Sequence, residues 1–324
     1  MLSHIRLMRS HNRCAKLSFC FSFNNRWSYS HQERIRGANE NLVLSLMLLA
    51  IASSAFAQGI SRVSVSERGT FYIKSDATLW GAGDNFHGEL GDGTTTSRLT
   101  AIQIASGVVD VASQVGSTAY LTNGGFLWKM GAGREIGDGT EVERHAPVLV
   151  ASGVASLARG GSTFYIKTDG TLWGSGPDAE GQLGDGGGHN YLLSPVLVAT
   201  NVAQVSASYA HTMFVKTDGT LWGTGRNTDS IIGDFGPTHV VPYYARPVQV
   251  ATDVASVSTG FAHTVFLKID GTLWGMGDNR WGQIGDGTKI PRTVPVLVAT
   301  DVIAVAAGYQ HTMFIKKDST LWGI

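Results

Sequence analysis

A Leu-Trp pair recurs six times along the chain, and this repeat constrains the fold more than any other feature of the sequence. The intervals between successive tryptophans are 45 to 52 residues. A period of this length is typical of repeat architectures in which each unit is one small supersecondary element. Such a unit cannot bury its apolar faces alone, so neighbouring units must stack into a continuous core. We expect the repeated tryptophans to be large apolar contacts between adjacent units, at Trp80, Trp128, Trp173, Trp222, Trp274 and Trp322.

The fifth unit shows the design of the repeat most clearly. Residues 254–258 alternate apolar and polar side chains, as a half-buried strand does. A second strand is predicted at 263–268, and Asp270-Gly271 predicts a two-residue turn into a third strand at 272–275. A long Gly-rich loop then leads to a fourth short strand at 294–298. Four short strands per unit, without helical periodicity, predict an all-β chain of four-stranded propeller blades.

Composition narrows the class of protein further. The 41 glycines are typical of turns that need positive φ, and the regular recurrence of large apolar residues argues against disorder. The 25 basic residues are balanced by 25 acidic ones, so the charge gives no support for binding nucleic acid. Both cysteines, Cys14 and Cys20, precede the repeats. The repeat region therefore has no disulfide framework and no thiolate metal site.

The N-terminal part of the chain predicts export. Residues 42–57 form an apolar run that is short for a membrane span and ends in Ala-Phe-Ala, the small-residue pattern of a signal peptidase site. We expect cleavage between Ala57 and Gln58, no stable membrane span afterwards, and a secreted or cell-envelope location. The alternative is an uncleaved anchor or a buried strand. Because the non-propeller extension at 1–41 is far longer than an ordinary n-region, we expect that the start site was assigned too far upstream.

Several units resemble the regulator of chromosome condensation repeat. Segments such as AAGYQHTMFIKKDSTLWG (306–323) and TGFAHTVFLKIDGTLWGMGDNRWGQIGDGT (259–288) carry its Gly-x-x-His-Thr, Asp-Gly and Trp-Gly-x-Gly elements. The resemblance extends over about 60–324, and the Asp-Gly-Thr-Leu-Trp-Gly motif is most similar to that of secreted bacterial members of the family. It implies a propeller at 58–324 with five complete units and a partial sixth, at about 60–107, 108–153, 154–201, 202–253, 254–301 and 302–324.

The family's ring typically has seven blades, so this sequence is one to two blades short. Either the ring closes with six, or it is open, or the product is truncated, and we favour truncation. The first three units also lack the repeat histidine and have Gly69, Ser117 and Ser162 there instead.

The residues that recur in every unit are better explained by structure than by chemistry. Side chains at one repeat position lie a blade apart and do not converge, so we expect a structural role and no metal site for His211, His263 and His311. One aspartate per loop is too sparse for a calcium loop and predicts a turn role for Asp92, Asp138, Asp185, Asp234 and Asp286. No catalytic motif and no cofactor motif is present, so we expect that the chain is not an enzyme.

Function is better sought where the repeat is irregular, because loops carry function on a rigid scaffold. Aromatic side chains in or beside the long loops are candidates for a protein-binding surface, although each could instead pack between blades. They are Phe86, Tyr191, Phe235, Tyr243, Tyr244 and Trp281. The leading hypothesis is a secreted, non-enzymatic scaffold that binds an unknown protein partner. The resemblance supports this, because secreted propellers of this class include inhibitors that clamp an enzyme with one face.

Two alternatives come from other classes of function. One is a carbohydrate-binding surface lectin, in which the same aromatics stack on sugar rings. The other is guanine-nucleotide exchange on a small GTPase, the activity of the family's nuclear founder. The predicted signal peptide and the zero net charge argue against the second alternative.

Overall fold

The computed structural model describes residues 59–114, 116–188, 190–233 and 242–324. Several predictions fall outside these ranges: the extension at 1–41, the signal peptide at 42–57, its cleavage site at Ala57 and Gln58, and the loop residues Asp234 and Phe235. Within the described ranges, no helix is long and apolar enough to cross a membrane.

In the described part of the chain, 23 strands form six antiparallel sheets, and each sheet lies within one repeat unit. We number the sheets blade 1 to blade 6 in chain order; the first five have four strands and the sixth has three. Blades 1 and 2 contain β1 (Ile60–Val65), β2 (Gly69–Lys74), β3 (Leu79–Gly83), β4 (Arg98–Ala105), β5 (Val108–Gln114), β6 (Ser117–Thr122), β7 (Leu127–Gly131) and β8 (Arg144–Ala151). Blades 3 and 4 contain β9 (Val154–Arg159), β10 (Thr163–Lys167), β11 (Leu172–Pro177), β12 (Tyr191–Ala199), β13 (Val202–Ala207), β14 (His211–Lys216), β15 (Leu221–Arg226) and β16 (Tyr243–Ala251). Blades 5 and 6 contain β17 (Val254–Thr259), β18 (His263–Lys268), β19 (Leu273–Gly277), β20 (Arg292–Ala299), β21 (Val302–Ala307), β22 (Thr312–Lys316) and β23 (Leu321–Gly323).

Each blade is a meander in which consecutive strands pair, and the blades contact one another in chain order. The first strand of each blade lies against the first two strands of the preceding one, as β5 does against β1 and β2. The first strands therefore lie nearest to the axis of the assembly, and the fourth strands form its outer side. This arrangement confirms the predicted all-β propeller of four-stranded blades. The alternatives for how the ring closes stay predictions.

The second and third strands of each blade are joined by a three-residue loop, so the predicted two-residue turn is wrong. In blade 5 the amide of Lys268 donates to the carbonyl of Thr272 (2.9 Å), which leaves Ile269, Asp270 and Gly271 in the loop. Gly271 has a φ of +84°, the left-handed conformation that completes a three-residue hairpin loop. The Asp-Gly pair indicated the hairpin but not the residue at which strand pairing stops.

In blades 2 to 6, the repeated tryptophan lies at the junction between its own blade and the preceding one; Trp80 is in blade 1, which has no preceding blade among the described residues. Between blades 4 and 5, half-buried Trp274 packs against a core that includes Met213, Leu221, Val254 and Phe266. The equivalent residues of the other junctions are Trp128, Trp173, Trp222 and Trp322. Apolar burial is therefore shared between blades, and each junction depends on both of its neighbours.

A chain of hydrogen bonds holds the tryptophan ring against the hairpin loop. In blade 5, Nε1 of Trp274 donates to Oγ1 of Thr272 (2.8 Å), and this hydroxyl donates to Oδ1 of Asp270 (2.6 Å). The ammonium of Lys268 lies 5.3 Å from the centroid of the Trp274 ring, within the range of a cation–π interaction. Blades 1, 3, 4 and 6 repeat this arrangement.

Blade 2 departs from this arrangement and from the usual long loop. It has Thr122, Gly124 and Phe126 in place of the lysine, aspartate and threonine. Its shortened loop contains a single-turn helix, α1 (Gly133–Ile136), which ends at Gly137 with a φ of +79°. No helical periodicity in the sequence indicated this turn, because four residues are too few to show one.

Candidate functional site

The long Gly-rich loops and the turns between first and second strands lie at the same end of every blade, because consecutive strands run in opposite directions. We call this end the long-loop face; it contains the loops at 84–97, 132–143, 178–188, 227–233 and 278–291 and the turns at 66–68, 208–210, 260–262 and 308–311. In blade 5 the amide of Asp278 donates to the carbonyl of Ala262 (2.8 Å) and ties loop to turn.

A buried asparagine organises the long loop from inside. Nδ2 of Asn279 donates to Oδ1 of Asp286 (3.0 Å) and to the carbonyls of Thr288 (3.1 Å) and Ile290 (3.2 Å). Its Oδ1 accepts a hydrogen bond from the amide of Ile284 (3.0 Å). Asn85 makes the equivalent contacts in blade 1. Side chains presented by these loops are therefore held on a rigid backbone.

The loop aspartates form turns and pair with arginines. In blade 1, Oδ1 of Asp92 accepts hydrogen bonds from the amide (3.0 Å) and the hydroxyl (2.7 Å) of Thr94. Its Oδ2 accepts from the guanidinium of Arg98 at 2.6 Å. Burial alone would raise the pKa of Asp92, but the bonds from Thr94 and Arg98 outweigh it and lower the pKa to about 2. Asp138 and Asp286 are held in the same way.

Each long loop also reaches the next blade. The amide of Gly93 in blade 1 donates to the carbonyl of His145 in blade 2 (2.9 Å), and the amide of Gly139 in blade 2 donates to that of Leu193 in blade 3 (2.8 Å). On the surface, Arg280 of blade 5 pairs with Asp229 of blade 4 (3.0 Å). The long-loop face is thus one connected surface and not a set of separate loops.

All five predicted aromatics within the described residues lie at the long-loop end of their blades. Phe86 and Trp281 are 63% and 67% exposed, and Tyr191 and Tyr243 are also exposed. Tyr244 instead packs against the core between blades 4 and 5, as the alternative for these residues predicted. Arg134 of blade 2 lies 5.4 Å from the centroid of the Tyr191 ring.

A second group of aromatics lies on this face, at Tyr209, Phe261 and Tyr309, and was not predicted from the sequence. Each lies two residues before the repeat histidine, in the turn that follows the strand nearest to the axis. The rings of Phe261 and Tyr309 stack with centroids 4.4 Å apart, and Tyr209 is 57% exposed. An aromatic residue at one fixed repeat position in three consecutive units was the signal available in the sequence.

Two of the three repeat histidines, His211 and His263, connect blades below this surface, whereas His311 in blade 6 is exposed. Nε2 of His211 lies 3.2 Å from Oγ1 of Thr264 in the next blade, and Nε2 of His263 lies 3.0 Å from Oγ1 of Thr312. Burial, with a smaller effect of His263, lowers the pKa of His211 to about 3. Burial, with a smaller effect of His311, lowers the pKa of His263 to about 4. Both side chains are therefore neutral near pH 7.

The junctions that lack the histidine differ from one another. Between blades 2 and 3, buried Lys129 donates from Nζ to Oγ1 of Thr163 (2.9 Å). At the junctions of blades 1 and 2 and of blades 3 and 4, the hydroxyls of Thr118 and Thr212 are buried without a hydrogen-bond partner among the described residues.

Among the described residues, no three or more histidine, cysteine, aspartate or glutamate side chains form a group that could hold a metal ion. Glu143 contacts Nδ1 of His87 (2.7 Å) and Nε2 of His145 (3.4 Å), and the contact with His87 joins blades 1 and 2. Hydrogen bonds from His87 and then His145 lower the pKa of Glu143.

The Regulator of chromosome condensation (RCC1) repeat matches residues 169–215 and 270–315, and a second form of the same repeat matches 202–230 and 254–283. Among solved structures, human WBSCR16 is 21% identical with a TM-score of 0.66, over 80% of this chain and 72% of that one. Yeast RCC1 (Prp20), solved with Kap60 bound, is 19% identical with a TM-score of 0.68, over 82% and 70% of the two chains. No curated protein sequence matches the chain.

Proposed function

Because the chain belongs to the regulator of chromosome condensation repeat family, we propose that it is a secreted, non-enzymatic propeller that binds a protein partner through aromatic residues of its long-loop face. The observation that carries this proposal is the row of Tyr209, Phe261 and Tyr309, at one repeat position of three neighbouring blades. Trp281 adds a largely exposed ring at the same end.

Physical chemistry supports a protein as the ligand of such a surface. Tyrosine and tryptophan supply large contact area with few rotatable bonds, and they are enriched among the residues that dominate binding energy at interfaces. The loops that carry Trp281 and Phe86 are already ordered by Asn279 and Asn85, so binding through these two residues would cost little additional conformational entropy. Yeast RCC1 (Prp20), which is similar in fold, has itself been solved in complex with the protein Kap60.

The location of the partner follows from the N-terminal sequence. The apolar segment at 42–57, with its Ala-Phe-Ala ending, supports export of a bacterial protein to the cell envelope or beyond. N-terminal sequencing of the exported protein should find Gln58 as the first residue. A product that begins at Met1 would contradict export by this signal.

The test is a pull-down from envelope extract and culture supernatant with the immobilised mature chain, read by mass spectrometry. Tyr209→Ala and Trp281→Ala should each reduce recovery of one and the same protein by at least about tenfold, because loss of a buried aromatic anchor costs 2 kcal/mol or more. Ile269→Ala is the matched control, since Ile269 is 70% exposed but lies at the opposite end of blade 5.

Equal recovery by all variants, or equal loss in the Ile269→Ala control, would contradict protein binding by this face. Binding to immobilised glycans that is lost in Trp281→Ala would instead favour the carbohydrate-binding alternative.

A further inference from the structure

A small cavity of about 70 Å³ lies at the junction between blades 1 and 2, on the long-loop face. Its wall includes the ring of Phe86 and the charged or titratable side chains of Arg68, Asp84, His87 and Glu89. Because Phe86 is 63% exposed, the cavity is within reach of a partner that binds this face.

The long loop of blade 5 shows how the repeat ordinarily neutralises the aspartate at this place. The loops of blades 1 and 5 have the same length from the repeated tryptophan to the Gly-Asp-Gly-Thr motif, so their residues correspond one to one. In blade 5, Oδ1 of buried Asp278 accepts from Nε of Arg280 (2.6 Å), and its Oδ2 accepts from Nε2 of Gln283 (2.9 Å). Oε1 of Gln283 accepts in turn from the amide of Trp281 (3.0 Å). Both oxygens of the aspartate therefore have donors within their own loop.

Blade 1 has the aspartate of this arrangement but neither of its two donors. The equivalents of Asp278, Arg280 and Gln283 are Asp84, Phe86 and Glu89. Oε2 of Glu89 accepts a hydrogen bond from the amide of His87 (2.9 Å), as the glutamine oxygen does from the equivalent amide in blade 5. The second oxygen of Glu89, Oε1, therefore corresponds to the amide nitrogen that donates to the aspartate in blade 5. A second carboxylate has replaced a donor.

Only one of the two carboxylates in the cavity wall has a cation beside it. Asp84 pairs with Arg68 at 3.6 Å, in an exposed contact of the kind that stabilises little. The ring of His87 contacts Glu143 of blade 2 (2.7 Å). Glu89 is only 8% exposed, and among the described residues its Oε1 has no hydrogen-bond partner and no cation within ion-pair distance. A buried carboxylate without a cation is costly, so the cavity favours a positively charged group from outside.

We propose that this cavity binds the guanidinium group of an arginine side chain that the protein partner supplies. Its N–H groups donate to Oε1 of Glu89 and to the carboxylate of Asp84, and its plane lies against the ring of Phe86. In blade 5 the loop itself places a guanidinium on the equivalent aspartate. A guanidinium also has planar donors that can bond two carboxylates at once, and it stacks on aromatic rings. The source of the arginine rests on the proposed function, whereas the affinity of the cavity for a guanidinium group does not.

The experiment titrates the full chain with N-acetyl-arginine methylamide, a blocked arginine that presents the side chain as a partner would. The amide of His87 donates to Glu89, so its NMR shift reports a cation that reaches this carboxylate. We expect saturable binding with a dissociation constant in the millimolar range, as for a single side chain. The blocked amide of citrulline has nearly the same shape without the charge and should bind at least about tenfold more weakly. The blocked amide of lysine should also bind more weakly, because an ammonium lacks the planar fork of donors.

Two variants change the loop of blade 1 towards that of blade 5. Glu89→Gln removes the carboxylate and supplies the amide that can donate to Asp84, so it should fold at least as stably as wild type. It should bind blocked arginine at least about tenfold more weakly. Phe86→Arg supplies the guanidinium of Arg280 within the chain, so it should raise the unfolding temperature and weaken binding of added arginine. Glu67→Gln is the matched control, since Glu67 is exposed on the same face and is not among the residues that line the cavity. It removes the same charge and should leave binding within about twofold of wild type.

The pull-down links the cavity to the partner. Glu89→Gln should reduce recovery of the protein that wild type captures, whereas Glu67→Gln should not. Absence of saturable binding of blocked arginine by wild type would overturn the inference, as would equal binding of blocked citrulline or lysine, or unchanged binding by Glu89→Gln. If the partner is still lost in Tyr209→Ala, these results would leave the proposed function standing. Binding of blocked arginine without capture of any protein would contradict the proposed function and the partner as the source of the arginine, but would support the guanidinium site itself.

Discussion

The hydroxyl of Thr264 lies between Nε2 of His211 (3.2 Å) and the carbonyl oxygen of Ile231 (2.7 Å), so one side chain links two blades and a loop. Because a carbonyl can only accept, the hydroxyl proton must point to Ile231. The hydroxyl therefore accepts from His211, which places the ring proton on Nε2. Nδ1 is then the acceptor for the hydroxyl of Ser208 at 2.6 Å.

Thr264→Val should destabilise the protein, whereas Thr212→Val should not. The first change leaves a buried N–H and a buried carbonyl without partners, which costs about 1–3 kcal/mol in the free energy of unfolding. The second removes a buried hydroxyl that has no partner among the described residues, so it should be neutral or slightly stabilising. Urea unfolding of both variants measures the difference; equal destabilisation would show that the His211 contact contributes nothing.

The sequence predicted the all-β propeller and its strands well, because Trp and Gly recur at positions that only a repeated blade explains. The same regularity could not predict which residue fills each junction. Lys129 lies outside the repeat position of the histidine, and its ammonium donates both to Thr163 in blade 3 and to the carbonyl of Glu135 in the shortened loop of blade 2. Local spacing in a sequence does not contain such contacts between blades.

The exposed surface was predictable in part. Phe86 and Trp281 could be placed on loops from the Gly-rich pattern, and the structure exposes both. Tyr244 follows Tyr243 directly, and only the pairing of β16 with β15 decides which of the two points into the core. A shift by one residue exchanges the faces of a strand, and a loop of irregular length hides that register.

The free energy of unfolding should decrease as the pH is lowered, over a pH range set by the pKa values of His211 and His263. Their pKa values in the folded protein, about 3 and about 4, lie below the ordinary value near 6.5. At a pH between the folded and the unfolded pKa, each histidine is protonated more in the unfolded chain than in the folded protein. Protons therefore favour unfolding, and the contribution of the two neutral histidines to the free energy of unfolding is complete above pH 6.5 and is lost as the pH falls. Each histidine contributes a slope of up to about 1.4 kcal/mol per pH unit.

Urea unfolding between pH 7.5 and 5 measures this slope. His263→Gln should flatten it, because glutamine cannot take up a proton but can still donate to Thr312. An unchanged slope in the double variant with His211→Gln would contradict this assignment.

Ala77→Gly and Ser319→Gly should stabilise the hairpin loops of blades 1 and 6. Ala77 and Ser319 have φ values of +63° and +66°, at the loop position that glycine has in the other blades. A non-glycine residue in this left-handed conformation costs about 1–2 kcal/mol in the free energy of unfolding. Substitution by glycine removes this cost, but glycine also makes the unfolded chain more flexible, and this offsets about half of the gain. We expect a gain of about 0.5–1 kcal/mol for each variant by urea unfolding.

The reverse substitution, Gly271→Ala, is the control for this gain. A Cβ at Gly271 would have no atom closer than 3.5 Å, so its effect comes from backbone conformation and not from steric overlap. It should destabilise blade 5 by about 1 kcal/mol. A gain in stability from Gly271→Ala would contradict the argument for all three positions.

Blade 2 offers a test of the hydrogen-bond chain that supports the tryptophan in the other blades. Gly124→Asp alone should destabilise blade 2, because its Cβ would lie 2.9 Å from the ring of Phe126. Phe126→Thr alone should be nearly neutral, since Phe126 is 44% exposed. Together they rebuild the route from Trp128 through threonine to aspartate, and the double variant should unfold about 1–2 °C above wild type. Thermal unfolding of the double variant and of Phe126→Thr alone measures this gain, because neither variant contains the overlap with the Phe126 ring. A double variant that unfolds no higher than Phe126→Thr would mean that the chain of hydrogen bonds follows from the blade's packing and does not support it.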